Sequence, residues 1–253
     1  MIPTIGTAFG PIPTFPVCVV LGILLMLLLT SITLRREENY IIEENYIFPK
    51  LVISGLIGFV CSGLLDSLFK IPVYGKFKIT GITFYGGFIG GAVSLFLLLK
   101  ATPSKTGYSV REWFELLTHP FILFHTLGRI GCFFGGCCYG KVTDSILGFA
   151  FCDNPSNNIF HNGAKRYPTQ LFEATALILI FLLLLRKKNK FSNYVMLYAT
   201  ARFIIEFFRD DERGYISAIL SPAQLISVLL LTIAISCKAI TAWKQYSKSN
   251  RST

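Results

Sequence analysis

The sequence predicts an all-α polytopic membrane protein of about seven transmembrane helices, with the N-terminus outside and the C-terminus in the cytoplasm. Three observations carry this. Hydrophobic residues make up 53% of the chain and charged residues only 15%, against roughly 25% charged in soluble domains, and the mean hydropathy is +0.58. Apolar runs long enough to cross ~30 Å of hydrocarbon recur along the whole length, with no soluble-sized polar segment between them, so residues 1–253 read as a single integral domain in a lipid bilayer. The 24 basic residues, which give a net charge of +10, stand in short clusters at the ends of those runs. That is the signature of membrane topology, and no nucleic-acid partner is expected.

The elements follow in order. Pro3, Pro11 and Pro13 precede a first span at about 15–34, closed by Arg35 and Arg36. No basic segment precedes it and no small-residue cleavage pattern follows, so it reads as an uncleaved span. An acidic loop with Glu37, Glu38, Glu43 and Glu44 leads to a second span at 47–69, where Asp66 reads as an interfacial carboxylate near Lys70. A polar linker, 70–78, precedes the third span, 81–99, whose opening GITFYGGFIGG is small enough for close contact with backbone or ligand. The fourth stretch, 113–134, is interrupted by His119 and Pro120 and is expected to be kinked or half-buried. A polar loop at about 141–166 follows, then spans at 167–185, 191–208 and 219–239.

Seven alternating spans sort the basic residues. With the intramembrane Arg129 and Arg202 set aside, fourteen fall on one side and eight on the other. The richer side is assigned to the cytoplasm, which puts the 141–166 loop outside.

The stretch 125–141, HTLGRIGCFFGGCCYGK, sets Arg129 in an apolar, glycine-rich segment with no acidic residue nearby in sequence. Its counter-charge must come from elsewhere in the fold or from a ligand, and intramembrane ionisable residues mark functional sites. Gly128, Gly131, Gly135, Gly136 and Gly140 suit either close backbone approach to a ligand or a plain helix-packing seam with a snorkelling arginine. Further on, Arg202, Glu206 and Arg209 are spaced by four and three and share one helical face. Three arginines against one glutamate match an anionic phosphate, which guanidinium binds bidentately, better than an internal salt-bridge ladder.

The cysteines admit three readings. A disulfide among Cys132, Cys137, Cys138 and Cys152 suits an extracytoplasmic face and is the favoured one. Metal binding by C-x4-C-C with His125 or His161 has no recognised spacing, and neither a metal nor another cofactor is expected. Buried thiols, or a thiol with a catalytic or acceptor role, complete the set. Cys18, Cys61 and Cys237 lie in apolar spans and read as small hydrophobes, and His119 and His161 read as structural.

The segments ITFYGG (82–87), GRIGCFFGGCCYG (128–140), YPTQLFEA (167–174), RFIIEFFRDD (202–211) and SPAQLIS (221–227) resemble, in order, the motifs of the prolipoprotein diacylglyceryl transferase family. The resemblance runs from the third span to the seventh and agrees with a seven-span topology. It implies a multi-pass enzyme of the bacterial plasma (inner) membrane that uses phosphatidylglycerol. Such an enzyme moves the diacylglyceryl group onto the lipobox cysteine thiol next to a prolipoprotein's signal-peptide segment and releases glycerol phosphate. Carried over residue by residue, Arg129 matches the signature arginine, Gly140 the closing glycine, and Arg202, Glu206 and Arg209 the second charged motif. Gln170 and Glu173 fall in a further family segment, and these residues are expected to bind substrate. Where the family typically has a histidine, this chain has Tyr85, whose phenol is neutral near pH 7 unless strongly perturbed. Tyr85 and His125, one turn before Arg129, are therefore the two candidate bases, with Arg129 and Arg209 as catalytic cations. Cys132, Gly135 and Cys137 replace the signature's usual asparagines and glutamate, which marks a divergent branch. A same-fold transferase with another acceptor is the alternative, and a lipid or solute transporter a more distant one, since no repeat symmetry is seen.

Overall fold

A computed structural model describes residues 4–7, 10–35, 40–78, 81–104, 107–151, 153, 162–210 and 220–249. Among them the chain forms seven α-helices, two small two-stranded sheets and a 3₁₀ turn, so the all-α expectation holds. Strands β1 (Thr4–Thr7) and β2 (Gly10–Pro13) pair as an antiparallel hairpin that leads directly into the first helix.

The helices are α1 (Thr14–Leu34), α2 (Tyr40–Tyr74), α3 (Phe84–Ala101), α4 (Val110–Gly135), α5 (Thr169–Leu184), α6 (Lys190–Ile205) and α7 (Pro222–Ser249). Local chemistry sets several of their ends. The Thr83 side chain accepts from Gly86 N at the start of α3, and Ser109 with Glu112 forms a reciprocal capping box on α4. Gly136, at φ +71°, closes α4 in the left-handed conformation that glycine adopts without strain.

Two expectations are corrected. Helix α2 begins before Glu43 and Glu44, so these sit on a helix and not in a loop, and it runs on to Tyr74 through most of the expected linker. The burial of Glu43 is offset by a hydrogen bond from Ser104 Oγ at 2.7 Å. Helix α4 is continuous through Pro120 and is half-buried, as one of the two expectations for this stretch has it. The glycines of GITFYGGFIGG form a seam against α2: a Cβ on Gly86 would lie 2.6 Å from Cys61 O, and one on Gly90 2.5 Å from Cys61 Cβ. As expected, Asp66 pairs with Lys70, at 3.1 Å.

Helices α1, α2, α3 and α7 are each long and apolar enough to cross a membrane, and α5 is apolar but shorter. Exposed leucines, isoleucines, valines and phenylalanines along these helices, such as Leu24, Leu56, Phe96, Leu183 and Ile233, suit a lipid surround. Helix α4 packs on α1 through Gly131, whose Cβ would lie 2.8 Å from Cys18 Cβ, and it also contacts α5.

The two ends of the bundle differ. At one end Tyr46 and Trp113 pack with ring centroids 5.7 Å apart, Arg111 bonds Asn189, and Lys238 bonds Asn193 at 2.5 Å. At the other, the starts of α1, α3, α5 and α7 meet the later part of α2 and the ends of α4 and α6, through Phe15 and Gly135, Thr83 and Ser62, Thr169 and Cys138, and Ser221 and Glu206. That second end holds the charged residues singled out from the sequence.

Candidate active site

Glu173, fully buried on the first turns of α5, is the counter-charge of Arg129. Arg129 Nε lies 3.0 Å from Glu173 Oε1, Arg209 Nη1 lies 4.0 Å from Glu173 Oε2, and the Tyr198 hydroxyl on α6 donates to Oε1 at 2.6 Å. Arg129 is only 5% exposed, which excludes the snorkelling alternative. Its guanidinium also lies over the Phe84 ring at 5.3 Å. One helical turn back, His125 stacks on the same Phe84 ring, with centroids 3.7 Å apart. Arg129 Nε donates to His125 Nε2 at 3.4 Å, and His125 Nδ1 meets the Tyr194 hydroxyl at 3.1 Å. Both ring nitrogens are thus engaged within the protein.

The second cluster is built locally. Arg202 and Glu206, one turn apart, approach to 2.5 Å, and Arg209 Nε lies 3.8 Å from Glu206 Oε2. The end of α6 tightens there into a 3₁₀ turn, Glu206–Phe208, which brings Arg209 round toward Glu173. Ser221, just ahead of α7, donates to Glu206 Oε1 at 2.8 Å. Arg202 shares a small cleft with Thr83, Tyr85 and Ala223. Tyr85 is buried, and Ser227 donates to Ala223 O at 2.7 Å, so Ser227 Oγ accepts the Tyr85 hydroxyl at 2.6 Å.

The charge inventory therefore changes. Arg129, Arg202 and Arg209 face two carboxylates, Glu173 and Glu206, and one positive charge remains in excess among the described residues. Arg202 Nη2 is buried and makes no hydrogen bond among the described residues.

Gly140 and Gln170 lie at a backbone crossing instead of in the cleft. Gly140 N donates to Tyr167 O at 2.9 Å, Tyr167 N to Lys141 O at 3.1 Å, and Lys141 N to Phe208 O at 2.8 Å. A Cβ on Gly140 would sit 2.6 Å from Phe208 O, so the three segments meet here only because this residue has no side chain. Gln170 Nε2 donates to Cys137 O at 2.6 Å and Thr169 Oγ1 to Cys138 O at 2.7 Å, which fixes the cysteine turn to α5. No disulfide links Cys132, Cys137 or Cys138 to another described residue, so that expectation is not met among these three. Their sulfurs lie within 4.8 Å of one another. Cys152 and His161 lie outside the described residues. In the loop, β3 (Phe149–Ala150) pairs with β4 (Lys165–Arg166), and Arg166 pairs with Asp210 at 2.8 Å.

The structure thus brings Arg129, His125, Glu173, Arg202, Glu206, Arg209 and Tyr85 to one end of the bundle. Sequence reasoning missed Tyr198, Tyr194, Ser221 and Ser227. The two serines fall in SPAQLIS, a segment that was singled out, while the tyrosines stand one turn apart on α6 with no local signal beyond that spacing.

A profile of the prolipoprotein diacylglyceryl transferase family matches residues 4–240. The chain is 34% identical over 250 residues to a phosphatidylglycerol–prolipoprotein diacylglyceryl transferase of Clostridium tetani, covering 93% of this chain and 96% of that one. It is 36% identical over 158 residues to a second protein of that name from Clostridium perfringens, covering 60% and 59%. Against one from Campylobacter hominis it is 29% identical over 243 residues, covering 86% and 82%.

Proposed function

This chain belongs to the prolipoprotein diacylglyceryl transferase family, and from that premise we propose that it moves the diacylglyceryl group of phosphatidylglycerol onto the thiol of a prolipoprotein lipobox cysteine. A carbon–sulfur bond forms at the glyceryl carbon as the carbon–oxygen bond to phosphate breaks. Glycerol phosphate leaves with the negative charge, and the thiol proton passes to a base. The observation that carries this reading is the excess of buried positive charge around Glu173 and Glu206. Fixed cations in a site of low dielectric stabilise a leaving group's growing charge far more than water does. Arg202 borders the cleft, and Arg129 and Arg209 add their charge from the Glu173 side. Of the two candidate bases, Tyr85 borders the cleft, whereas His125 is held on both nitrogens and positions Arg129.

The alternation of helix ends supports seven crossings of the bacterial inner membrane, with the active-site end and the 141–166 loop outside and the C-terminus in the cytoplasm. That orientation sets the cleft where a signal-peptide segment emerges beside the lipid. Purified protein in phosphatidylglycerol micelles, given a lipobox peptide, is expected to release glycerol phosphate and add a diacylglyceryl mass to the peptide's cysteine. Arg129→Ala or Arg209→Ala removes charge-assisted bonds and lowers that rate roughly a hundredfold or more. Lysine rescues poorly, because a point charge does not reproduce the guanidinium fork. Tyr85→His preserves or raises transfer if Tyr85 occupies the base position. Release of glycerol phosphate only with a non-peptide acceptor would reassign the acceptor, and no release with any acceptor would overturn the transferase reading.

A further inference from the structure

We propose that Cys132, Cys137 and Cys138 form a three-thiolate site for one thiophilic d¹⁰ cation, Zn²⁺ by preference. The three sulfurs lie within 4.8 Å of one another. Zn–S bonds of ~2.3 Å in tetrahedral geometry set neighbouring sulfurs ~3.8 Å apart, so the cluster needs only a small contraction to close on the ion. Soft thiolates select such cations over the hard ones that carboxylates and carbonyls favour.

The spacing C-x4-C-C cannot present three sulfurs from one helix face, and the fold reaches the arrangement by ending the helix between them. Gly136 takes the left-handed conformation at φ +71°, and Cys138 takes it as well, at φ +64°. Cys137 N returns to Cys132 O at 3.2 Å, which lays the turn back over the last turn of α4. A non-glycine residue there is unfavourable and persists only where its surroundings hold it. Gln170 and Thr169, both fully buried on α5, supply that hold through the carbonyls of Cys137 and Cys138. The clamps act on the backbone, so they fix the turn without occupying the sulfurs.

Charge and number point the same way. Three thiolates around Zn²⁺ carry one net negative charge, and Arg129, one turn earlier on α4, has Cys132 and Cys138 among its electrostatic neighbours. Metal uptake displaces three thiol protons to solvent. A disulfide would use two sulfurs of the three. Adjacent residues such as Cys137 and Cys138, with Cα atoms ~3.8 Å apart, fall short of the ~4.4 Å that begins the usual disulfide range. Three ligands come from the described residues, and tetrahedral coordination is completed by one further donor.

Elemental analysis of full-length protein purified without chelator is expected to find one zinc per chain. Cys132→Ser, Cys137→Ser and Cys138→Ser should each lower it to below about a tenth, while Cys61→Ser retains it. Wild-type protein stripped of metal and titrated with Co²⁺ alone is expected to develop sulfur-to-cobalt charge-transfer absorption saturating at one equivalent. This arm holds even if the serine variants fail to fold. Absence of that absorption, zinc retained in full by the triple serine variant, or a Cys132–Cys137 or Cys132–Cys138 disulfide in membranes prepared with thiols blocked would each overturn the proposal.

Discussion

The two arginine–carboxylate pairs at the candidate-site end are built in opposite ways. Arg129 and Glu173 stand on different helices, α4 and α5, and Glu173 is further tied to α6 by Tyr198. Arg202 and Glu206 stand one turn apart on a single helical run. The first pair exists only when the bundle is assembled, so it acts as a clamp between helices. The second forms wherever α6 and its terminal turn form, and its arginine borders the cleft with a nitrogen that makes no hydrogen bond among the described residues. One pair is chiefly a strut, and the other keeps donors in reserve for an anion.

The largest expected effect tests the clamp. Glu173→Gln leaves Arg129 buried without a carboxylate and is expected to destabilise the protein by about 3–5 kcal/mol, read as earlier thermal unfolding in detergent. Replacing both partners by apolar residues of similar volume should recover most of that loss. An unchanged unfolding temperature for Glu173→Gln would remove the distinction between the pairs. The next effect belongs to the local pair. In Arg202→Ala, Glu206 keeps Arg209 at 3.8 Å and Ser221 at 2.8 Å, so stability falls by only about 1–2 kcal/mol. Glycerol phosphate release falls roughly a hundredfold. A stability loss as large as that of Glu173→Gln would show that both pairs are struts. The smallest effect sharpens the same point. Ser221→Ala removes one hydrogen bond to Glu206, for about 1 kcal/mol of stability, and should leave the transfer rate within about fivefold.

The same contrast separates what the sequence discloses from what it does not. The spacing of Arg202, Glu206 and Arg209 is a helical period and is readable directly. Arg129's need for a distant counter-charge was also readable, but its identity was not, because Glu173 reaches it through the packing of α4 on α5. Spacing alone does not show that pair, so the sequence overstates the cluster's excess positive charge. Helix α1 was legible to within a residue, since its apolar run and flanking arginines leave no other solution. Helix α2 ran longer than hydropathy suggested, because the burial of Glu43 depends on Ser104, a partner far along the chain. Strands β1 and β2 are short and carry Gly6, Gly10, Pro11 and Pro13, residues that count against a strand, so the hairpin was not legible. The cysteine turn escaped because Cys138 adopts a backbone conformation that its residue type does not advertise.

The crossing at Gly140 bears on how this enzyme could acquire new acceptors. Lys141 and Tyr167, the two residues that bracket the 141–166 loop, are stitched to each other and to Phe208 through backbone hydrogen bonds alone. Backbone pairing carries most of that mount, and the Arg166 side chain braces it through Gly140 O and Asp210. Between Thr143 and Lys165 its sequence is therefore expected to tolerate change without moving Arg129, Glu173 or Arg209. Grafting a relative's residues between Thr143 and Lys165, with Arg166 kept, is thus expected to be a conservative operation on the fold, and it tests whether the loop sets the choice among protein acceptors.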